Sequence, residues 1–407
     1  MCKTKTRTDA AEPRKTISAT RNRPSLSPST SRSAAATSSS LFSSSSTSSA
    51  SAVSLSTLRS SLPKNPLYSF SEISSATNSF RSNRLSSSSF RCSLRGRQVA
   101  VFQRRISRQL DLQRVLSSLC KCHHSSIADL LGASLSGDYI YLVYEFITGA
   151  SLSACLRHPQ NPAYTILSTW TSRMQVAADL ADGLFYIHRN SGIGGDRGLI
   201  HNHLRSSSVI VADPSLHAKI CHFGAAELTG ELPDDRIRDT DEIRPDPGPA
   251  LARSGSKKMK MKGTRGYMAP EFLNVGIVSQ KADVYAFGVV LLEILSGEEP
   301  LKYRFDEMKG EYERVSLIER AAEAVEAAAE DARGLRRWID RRLRDSFPID
   351  VAERMTRVAL DCVREEPEKR PDMEAVAGVV SMLYLESKVW AEKMRVPTDF
   401  SVSMAPR

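Results

Sequence analysis

The distribution of apolar residues divides the chain into segments of different character. The most apolar run, residues 289–295, predicts a buried helix and is far shorter than the ~20 residues that span a bilayer. From residue 319 to residue 337, apolar positions recur at helical spacing, which predicts one amphipathic helix with a solvated face. Residues 231–262 show no apolar periodicity, and their acidic, proline-rich start and basic end predict an extended loop.

Residues 1–67 have a composition that opposes folding. They are poor in aromatic residues and dominated by Ser, Thr, Ala and Arg. Such a segment cannot bury enough apolar surface to offset the entropy of ordering, so we predict a disordered tail. The tail carries about ten basic and two acidic side chains, a net charge near +8. Most of the net charge of +10 on the whole chain therefore lies in the tail, and the remainder is nearly neutral.

Three interpretations of the basic tail stay open: a solvated flexible segment, contact with acidic membrane or an acidic partner, and a plastid transit peptide. No apolar h-region follows the initiator Met, so no secretory signal is predicted, and Cys2 stands where N-myristoylation requires glycine. The seven cysteines are scattered, which suits reduced thiols in the cytosol. We expect a cytoplasmic protein, with peripheral contact at the plasma membrane through the tail as a candidate. No nucleic-acid partner is expected.

A series of motifs follows the tail in a fixed order. They are LVYEF at 142–146, LFYIH at 184–188, IHNHLRSSSVIV at 200–211, HFG at 222–224, GTRGYMAPE at 263–271, DVYAFG at 283–288 and RPDM at 370–373. In this order they resemble the hinge, the catalytic loop with its preceding helix, the metal-binding motif and the C-lobe landmarks of protein kinases. Residues 70–80 are similar to the lead-in of plant receptor-like kinases. The chain most resembles the receptor-like cytoplasmic branch of that family.

The resemblance implies an α+β, two-lobed protein kinase-like fold. We expect a domain at 68–395, with a small β-rich N-lobe at about 68–146 and a larger helical C-lobe at about 147–390. A C-terminal tail at 396–407 would follow. A length of 407 residues with 41% hydrophobic content is sufficient for such a domain.

At four positions the residue that the family uses for chemistry is replaced. Phe102 stands where a lysine pairs with the phosphates, and His222 where an aspartate holds Mg²⁺. His203 stands where an aspartate orients the substrate hydroxyl, and Ser208 where an asparagine holds the second metal ion. Phenylalanine cannot pair with a phosphate, and neutral imidazole is poorly matched to a hard cation. We therefore expect no metal ion and no ATP cofactor.

The positions that would surround a nucleotide are also altered. An alignment on Phe90 places serines where the phosphate loop requires glycines, and the only acidic residue between 103 and 127, Asp111, lies about a turn too early to pair with the lysine. The hinge residues could still contact an adenine. The candidate nucleotide-contacting positions are Ser86, Ser88, Ala100, Tyr144, Glu145 and Ile147.

Residues that support the architecture are retained. They are His201, Phe223, Gly224, Glu271, Asp283 and Arg370. The resemblance implies a buried ion pair between Glu271 and Arg370, and a bracing contact from Asp283 to the catalytic-loop backbone. A preserved scaffold with replaced catalytic residues resembles a pseudokinase. We expect it to serve as a scaffold, an allosteric partner or a substrate of an active receptor-like kinase or receptor complex.

Other hypotheses remain beside this one. The chain could be an atypical serine/threonine kinase with weak phosphotransfer, or a module that binds metal through His201, His203 and His222. A zinc site at Cys120, Cys122, His123 and His124 is a weaker candidate. Candidate phosphosites are Ser254, Ser256 and Thr264, although the resemblance also implies a structural role for Thr264.

Overall fold

A computed structural model describes residues 66–107, 112–158, 167–190, 198–232, 264–306, 310–330 and 333–394. The chain divides into two compact units, residues 1–61 and 62–407, and all of the described residues belong to the second. Residues 66 and 67, assigned to the tail, already contact the sheet, because the amide of Ala133 donates to the carbonyl of Pro66 at 2.9 Å. The rest of the predicted tail and most of the 231–262 loop lie outside the described residues.

The N-lobe is built on a five-stranded antiparallel sheet. Its strands are β1 (Arg84–Ser86), β2 (Ser89–Leu94), β3 (Arg97–Arg105), β4 (Leu130–Ser136) and β5 (Tyr139–Glu145), and their spatial order is β1-β2-β3-β5-β4. Val99 and Val101 at the centre of β3 are fully buried, and the intervening Ala100 pairs with Tyr144. Because residues two apart on a strand share a face, Ala100, Phe102 and Arg104 follow one another on the other side of this strand.

Two helices pack against this sheet. The first, α1 (Phe70–Ala76), begins at Ser69, whose side chain accepts a hydrogen bond from an amide of the first turn. Ile73 of α1 is fully buried in a small hydrophobic core, separate from the main core, that it shares with residues of β2, β3 and β5. The second, α2 (Leu112–Leu119), buries Leu119 in the main core. Asp111 lies outside the described residues.

The C-lobe is helical. Residues 289–295 lie within one of its helices and are buried there, which confirms the prediction from their apolar run. Within the described ranges, no helix combines the length and the hydropathy needed to cross a bilayer. The helices are α3 (Leu152–Arg157), α4 (Trp170–Arg189), α5 (Ala225–Thr229), α6 (Pro270–Val275), α7 (Gln280–Ser296), α8 (Leu317–Glu330), α9 (Arg333–Trp338), α10 (Ile349–Cys362) and α11 (Met373–Lys393).

The prediction of a single amphipathic helix over 319–337 is wrong. The segment forms two helices, α8 and α9, which pack against each other. Leu335 and Trp338 of α9 are buried in the core that also contains Ala321 and Val325 of α8, so the apolar faces of both helices are packed in the same core. An exposed hairpin of β9 (Leu301–Asp306) and β10 (Glu311–Ser316) precedes α8.

A small three-stranded sheet places the candidate site between the lobes. It consists of β6 (Gly149–Ser151), β7 (Val209–Ala212) and β8 (Ala218–Ile220). The loop 198–208 enters β7, and residues 221–224 follow β8. The antiparallel β7–β8 pair sets these segments side by side, and the amide of Cys221 donates to the carbonyl of Ser208 at 2.8 Å. The predicted two-lobed α+β fold is confirmed.

Candidate functional site

The loop that enters β7 is held by one buried carboxylate. Asp283, in the first turn of α7, accepts hydrogen bonds from the amides of His201 at 2.6 Å and Asn202 at 2.7 Å. Nε2 of His188 lies 3.1 Å from the same carboxylate. Burial by itself raises the pKa of Asp283, but the contacts with His188 and His201 outweigh it and lower the pKa below its usual value. An ionised Asp283 therefore braces the backbone of the predicted catalytic loop.

His201 is buried, and both of its ring nitrogens are engaged. Nδ1 accepts from the amide of His203 at 3.3 Å, and Nε2 donates to the carbonyl of Cys221 at 2.9 Å. Burial lowers the pKa of His201 to about 4, so the ring is neutral near pH 7. With both nitrogens in use, His201 has none left for the metal site with His203 and His222 that the sequence left open.

His203 and Ser208 occupy the positions of the catalytic aspartate and of the second metal ligand. Nε2 of His203 lies 3.0 Å from a carboxylate oxygen of Glu231, but the two groups are not aligned for a hydrogen bond. Oγ of Ser208 lies 2.9 Å from the carbonyl of His203 and 2.8 Å from that of Arg205, and it accepts from the Arg205 amide at 3.0 Å. The Ser208 hydroxyl therefore serves to close the loop on itself.

Phe102, Tyr144 and His222 form an aromatic cluster in the cleft. The rings of Phe102 and His222 meet edge to face with centroids 4.4 Å apart, and the centroid of Phe102 lies 5.7 Å from that of Tyr144. The hydroxyl of Tyr144 donates to the carbonyl of Phe223 at 2.8 Å. The two positions at which the family has a lysine and an aspartate are thus in direct ring contact.

The surroundings of His222 keep its imidazole neutral. The side chain is 6% exposed, and its backbone has a φ of 69°. Burial first, and then the positive charge of Arg104, lower the pKa of His222 well below its usual value. Within the described residues, Nδ1 of this ring has no hydrogen-bond partner. His222 therefore brings an uncharged, unpaired nitrogen into the cleft.

The candidate nucleotide-contacting positions do not converge on one group. Ser86 and Ser88 lie at the β1–β2 turn, where Oγ of Ser88 accepts from Nη1 of Arg104 at 3.3 Å. The carboxylate of Glu145 lies 2.5 Å from Nζ of Lys219, which ties the hinge to β8. Ala100 is buried in β3, and Ile147 packs against the main core.

The retained structural residues lie in contact with their neighbours. Arg370, which is 1% exposed, donates through Nη1 and Nη2 to the two carboxylate oxygens of Glu271 at 2.7 and 2.8 Å. Phe223 is buried, and Gly224 begins α5 with a φ of 73°. A Cβ atom on Gly224 would lie 2.7 Å from Cδ1 of Leu119 in α2. The segment after the metal-binding motif therefore packs tightly under α2.

A cavity of about 360 Å³ lies beside the predicted catalytic loop. Three of its charged lining residues, Arg104, Arg105 and Glu231, were not identified from the sequence. The signal for Arg104 was its position two residues after Phe102, which places both on the cleft side of β3. Glu231 carried no such signal, because its position depends on α5, a short helix that no apolar periodicity predicted. The charged and imidazole groups that line the cavity are Arg104, Arg105, His203, Arg205, His222, Glu231 and Asp283.

The remaining candidate residues have other neighbours. Thr264 is exposed, and its Oγ1 accepts from Nη1 of Arg205 at 2.7 Å. Ser254 and Ser256 lie outside the described residues. Nδ1 of His123 lies 3.0 Å from Asp129, and the ring of His124 stacks on Tyr186. In the part of the chain that the structure describes, no group of three or more His, Cys, Asp or Glu side chains is arranged to hold a metal ion.

Comparisons with known proteins agree with the two-lobed fold. Residues 97–379 match the family model described as protein kinase domain. LysM domain receptor-like kinase 3 of Arabidopsis thaliana is 30% identical over 336 residues, which cover 81% of this chain and 48% of that protein. LysM domain receptor-like kinase 10 of Oryza sativa subsp. japonica is 32% identical over 292 residues, 72% of this chain and 42% of that protein.

A third relative, which is not a LysM domain kinase by name, is also similar to most of this chain and matched over only part of its own length. Wall-associated receptor kinase 3 of Arabidopsis thaliana is 30% identical over 292 residues, which cover 71% of this chain and 34% of that protein. The chain thus spans less than half the length of these curated relatives. The family model, in contrast, matches well over half of the chain, from β3 to α11. The chain therefore belongs to the protein kinase family, and these relatives of its kinase domain are named as plant receptor kinases.

Proposed function

We propose that this chain is a pseudokinase that signals by binding other proteins rather than by transferring phosphate. The observation that carries the proposal is the edge-to-face contact of Phe102 and His222, with ring centroids 4.4 Å apart. In an active kinase, these two positions hold the lysine and the aspartate that engage the phosphates and Mg²⁺. In this chain, the uncharged rings of Phe102 and His222 fill that space.

The side chains that remain do not fit a magnesium ion. Mg²⁺ prefers oxygen ligands in octahedral geometry. His222 offers a neutral nitrogen next to the guanidinium of Arg104, whose charge further opposes a cation at that position. The hydroxyl of Ser208 is engaged with the backbone of its own loop. These contacts argue against metal-assisted phosphoryl transfer by the route that the family uses.

The size of the expected loss also favours the proposal. Removing one preorganised electrostatic group from an active site typically slows a reaction by ~10²–10³. Losses within one catalytic unit are not additive, so four replacements do not multiply. Even so, two such losses would lower the usual rate of ~1–100 s⁻¹ by several orders of magnitude. Direct catalysis at a useful rate is not expected.

The binding partner that we propose is an active receptor-like kinase or a receptor complex. The support is the retained scaffold, in which the Glu271–Arg370 pair and Asp283 still hold the C-lobe surfaces in the kinase arrangement. The names of the relatives describe receptor kinases, so a kinase of that type is the natural partner for a domain of the same type. We place this encounter at the cytoplasmic face of the plasma membrane.

Thermal unfolding of the full chain with nucleotide tests the proposal. A ligand present at about one hundred times its Kd stabilises a protein by ~2.7 kcal/mol, which is readily observed as a change in Tm. We expect no change with ATP, ATP plus Mg²⁺ or ATP plus Mn²⁺. An active receptor-like kinase domain with intact motifs serves as the positive control. A metal-dependent increase in Tm would contradict the proposal.

One observation favours the alternative of an atypical kinase. His203 stands at the position of the catalytic aspartate, and its Nε2 lies 3.0 Å from the carboxylate of Glu231. Histidine is the side chain most often used as a general base in enzymes. If this pair supports phosphotransfer, phosphate from labelled ATP will appear in the protein or in a substrate, and Glu231→Gln will abolish it. We expect no incorporation in either protein.

A further inference from the structure

We propose that the cavity beside the catalytic loop binds a phosphorylated side chain of a partner protein, held by Arg104 and Arg205. This inference rests on the proposed function, because in an active kinase the same space receives the hydroxyl group to be phosphorylated. Recognition of a phosphate monoester would give the pseudokinase a way to select partners that another kinase has already modified.

The charge of the cavity favours an anion. Its volume of about 360 Å³ lies within the range of small-ligand pockets. The described lining includes three arginines, Arg104, Arg105 and Arg205, and two carboxylates, Glu231 and Asp283. The carboxylate of Asp283 accepts from two loop amides and lies 3.1 Å from Nε2 of His188. The described lining therefore has one more guanidinium group than carboxylate groups.

Arg104 is half-buried beside another cation. Its Nη1 donates to two neutral acceptors, Oγ of Ser88 at 3.3 Å and the carbonyl of Gln103 at 3.2 Å. Burial, and to a lesser extent the like charge of Arg205, lower the pKa of the Arg104 guanidinium. Two cations repel each other more strongly in a partly buried site than in water. A phosphate dianion between Arg104 and Arg205 would remove this repulsion.

Arg205 lines the same cavity as Arg104. Nη1 of Arg205 contacts only a hydroxyl among the described residues, that of Thr264 at 2.7 Å. The guanidinium of Arg105, in contrast, lies 3.6 Å from the carboxylate of Asp138. The planar guanidinium groups can donate to phosphate oxygens in pairs.

One imidazole nitrogen supports the same ligand. Nδ1 of His222 is buried without a hydrogen bond among the described residues, and the side chain lines the cavity. Unpaired buried nitrogens are uncommon in native proteins and call for an explanation such as a bound ion or water. An N–H of this ring can donate to a phosphate oxygen. Such a contact would satisfy a group that otherwise lowers the stability of the fold.

The lining also indicates that the phosphate is attached to a peptide. Met268, Ala269 and Phe272 form an apolar side of the cavity next to Thr264. This side suits an apolar residue adjacent to the phosphorylated one. On the other side of the cleft, the rings of Phe102 and Tyr144 fill the space around His222, which disfavours a nucleotide. A phosphoserine or phosphothreonine peptide therefore fits the site better than ATP.

Fluorescence anisotropy with the full chain tests the inference. The probe is a short labelled peptide of Ala and Leu with one central phosphothreonine, and the unphosphorylated peptide is its control. We expect the phosphopeptide to bind at least tenfold more tightly than the control, and its binding to weaken as salt increases. Unlabelled phosphopeptide should compete better than inorganic phosphate or ATP. Equal binding of the two peptides would overturn the inference, as would better competition by ATP.

Substitutions locate the site. Arg104→Gln and Arg205→Gln should each weaken phosphopeptide binding by about tenfold or more, and Arg205→Lys by less. Arg337→Gln is the matched control, because Arg337 lines a second arginine-rich concavity of about 330 Å³ near α9. An unchanged Tm shows that each variant is folded. A loss in Arg337→Gln equal to that in Arg205→Gln would place binding elsewhere and overturn the inference.

An assay with labelled ATP on the same samples separates the two proposals. Phosphate transfer that disappears in Arg205→Gln would contradict the proposed function and also this inference, because the cavity would then receive a substrate hydroxyl. Absence of both transfer and phosphopeptide binding would contradict the inference alone. Phosphopeptide binding without transfer would support both.

Discussion

The hydroxyl of Tyr144 donates a 2.8 Å hydrogen bond to the main-chain carbonyl of Phe223, which joins the end of β5 to the segment that follows β8. Both residues are buried, and burial raises the pKa of the Tyr144 hydroxyl, so it remains a donor across the physiological range. The bond fixes the position of His222, the residue immediately before Phe223, against Phe102. The closed arrangement of the cleft therefore depends on a tyrosine of the hinge strand.

Tyr144→Phe should destabilise the protein by about 1–3 kcal/mol, because the carbonyl of Phe223 loses its donor in a buried place. Urea unfolding measures the effect. Tyr139→Phe is the control, because Tyr139 is the exposed first residue of the same strand. It should change the free energy of unfolding by less than about 0.5 kcal/mol. Equal effects of the two substitutions would show that the Tyr144 bond does not stabilise the cleft.

Glu271→Gln should cost about 3–5 kcal/mol, since it leaves the buried guanidinium of Arg370 without its carboxylate. Glu374→Gln is the matched control, because the Arg189–Glu374 pair has a similar distance of 3.0 Å but both side chains are about two thirds exposed. That substitution should cost no more than about 1 kcal/mol. Chemical denaturation of the two variants compares them, and a loss in Glu374→Gln as large as in Glu271→Gln would contradict the argument from burial.

The stability should fall as the pH is lowered below about 6.5, in part because of two histidines. The folded pKa of His201 is lowered to about 4, and that of His222 is lowered well below its usual value. Between the folded and unfolded pKa values, the unfolded chain binds more protons, so acid favours unfolding. The contribution of each ring is fully present above pH 6.5 and is lost as the pH falls through its folded pKa, which is about 4 for His201.

Two variants isolate this contribution from that of the carboxylates. His201→Gln removes one titrating ring, and His222→Asn removes the other with a residue that tolerates the positive φ. Tm measured from pH 7.5 to pH 4 should fall less steeply in each variant than in the unmodified protein. Parallel curves for all three proteins would rule out these rings as the source of the acid sensitivity.

Gly224→Ala should destabilise the protein by about 1–2 kcal/mol or more, because its φ of 73° disfavours a side chain and the new Cβ would meet Leu119. Gly137→Ala provides the comparison, since Gly137 has a φ of 57° with nothing within 4 Å of the added atom. The difference between the two free energies of unfolding measures how tightly α5 packs under α2. No difference would show that α2 moves away without cost.

The two-lobed fold was predictable because its sequence motifs are short, and because they can be recognised although the catalytic residues within them are replaced. The motifs at 142–146, 200–211 and 283–288 fall at the hinge strand, the catalytic loop and α7, where the resemblance placed them. The apolar run at 289–295 required a buried helix, and α7 provides one. The division of this segment into α8 and α9 was not predicted, because apolar residues at helical spacing indicate a helix but not where one helix ends and the next begins.

The candidate site was only partly predictable for a related reason. Substitution at Phe102 and His222 indicated what the cleft had lost, but not that the two rings would touch. That contact depends on the left-handed backbone at His222 and on the hydrogen bond from Tyr144, neither of which leaves a sequence pattern. Glu231 reaches His203 only because α5 forms, and five residues are too few for periodicity to reveal a helix.

The contact of Phe102 with His222 also constrains how this protein can evolve. A single change of Phe102 to lysine would place an ammonium group next to the guanidinium of Arg104. A single change of His222 to aspartate would put a carboxylate against the ring of Phe102. Each single change towards the pair used by the family therefore puts a charge into a contact made of two uncharged rings. A return to lysine and aspartate requires both positions to change together.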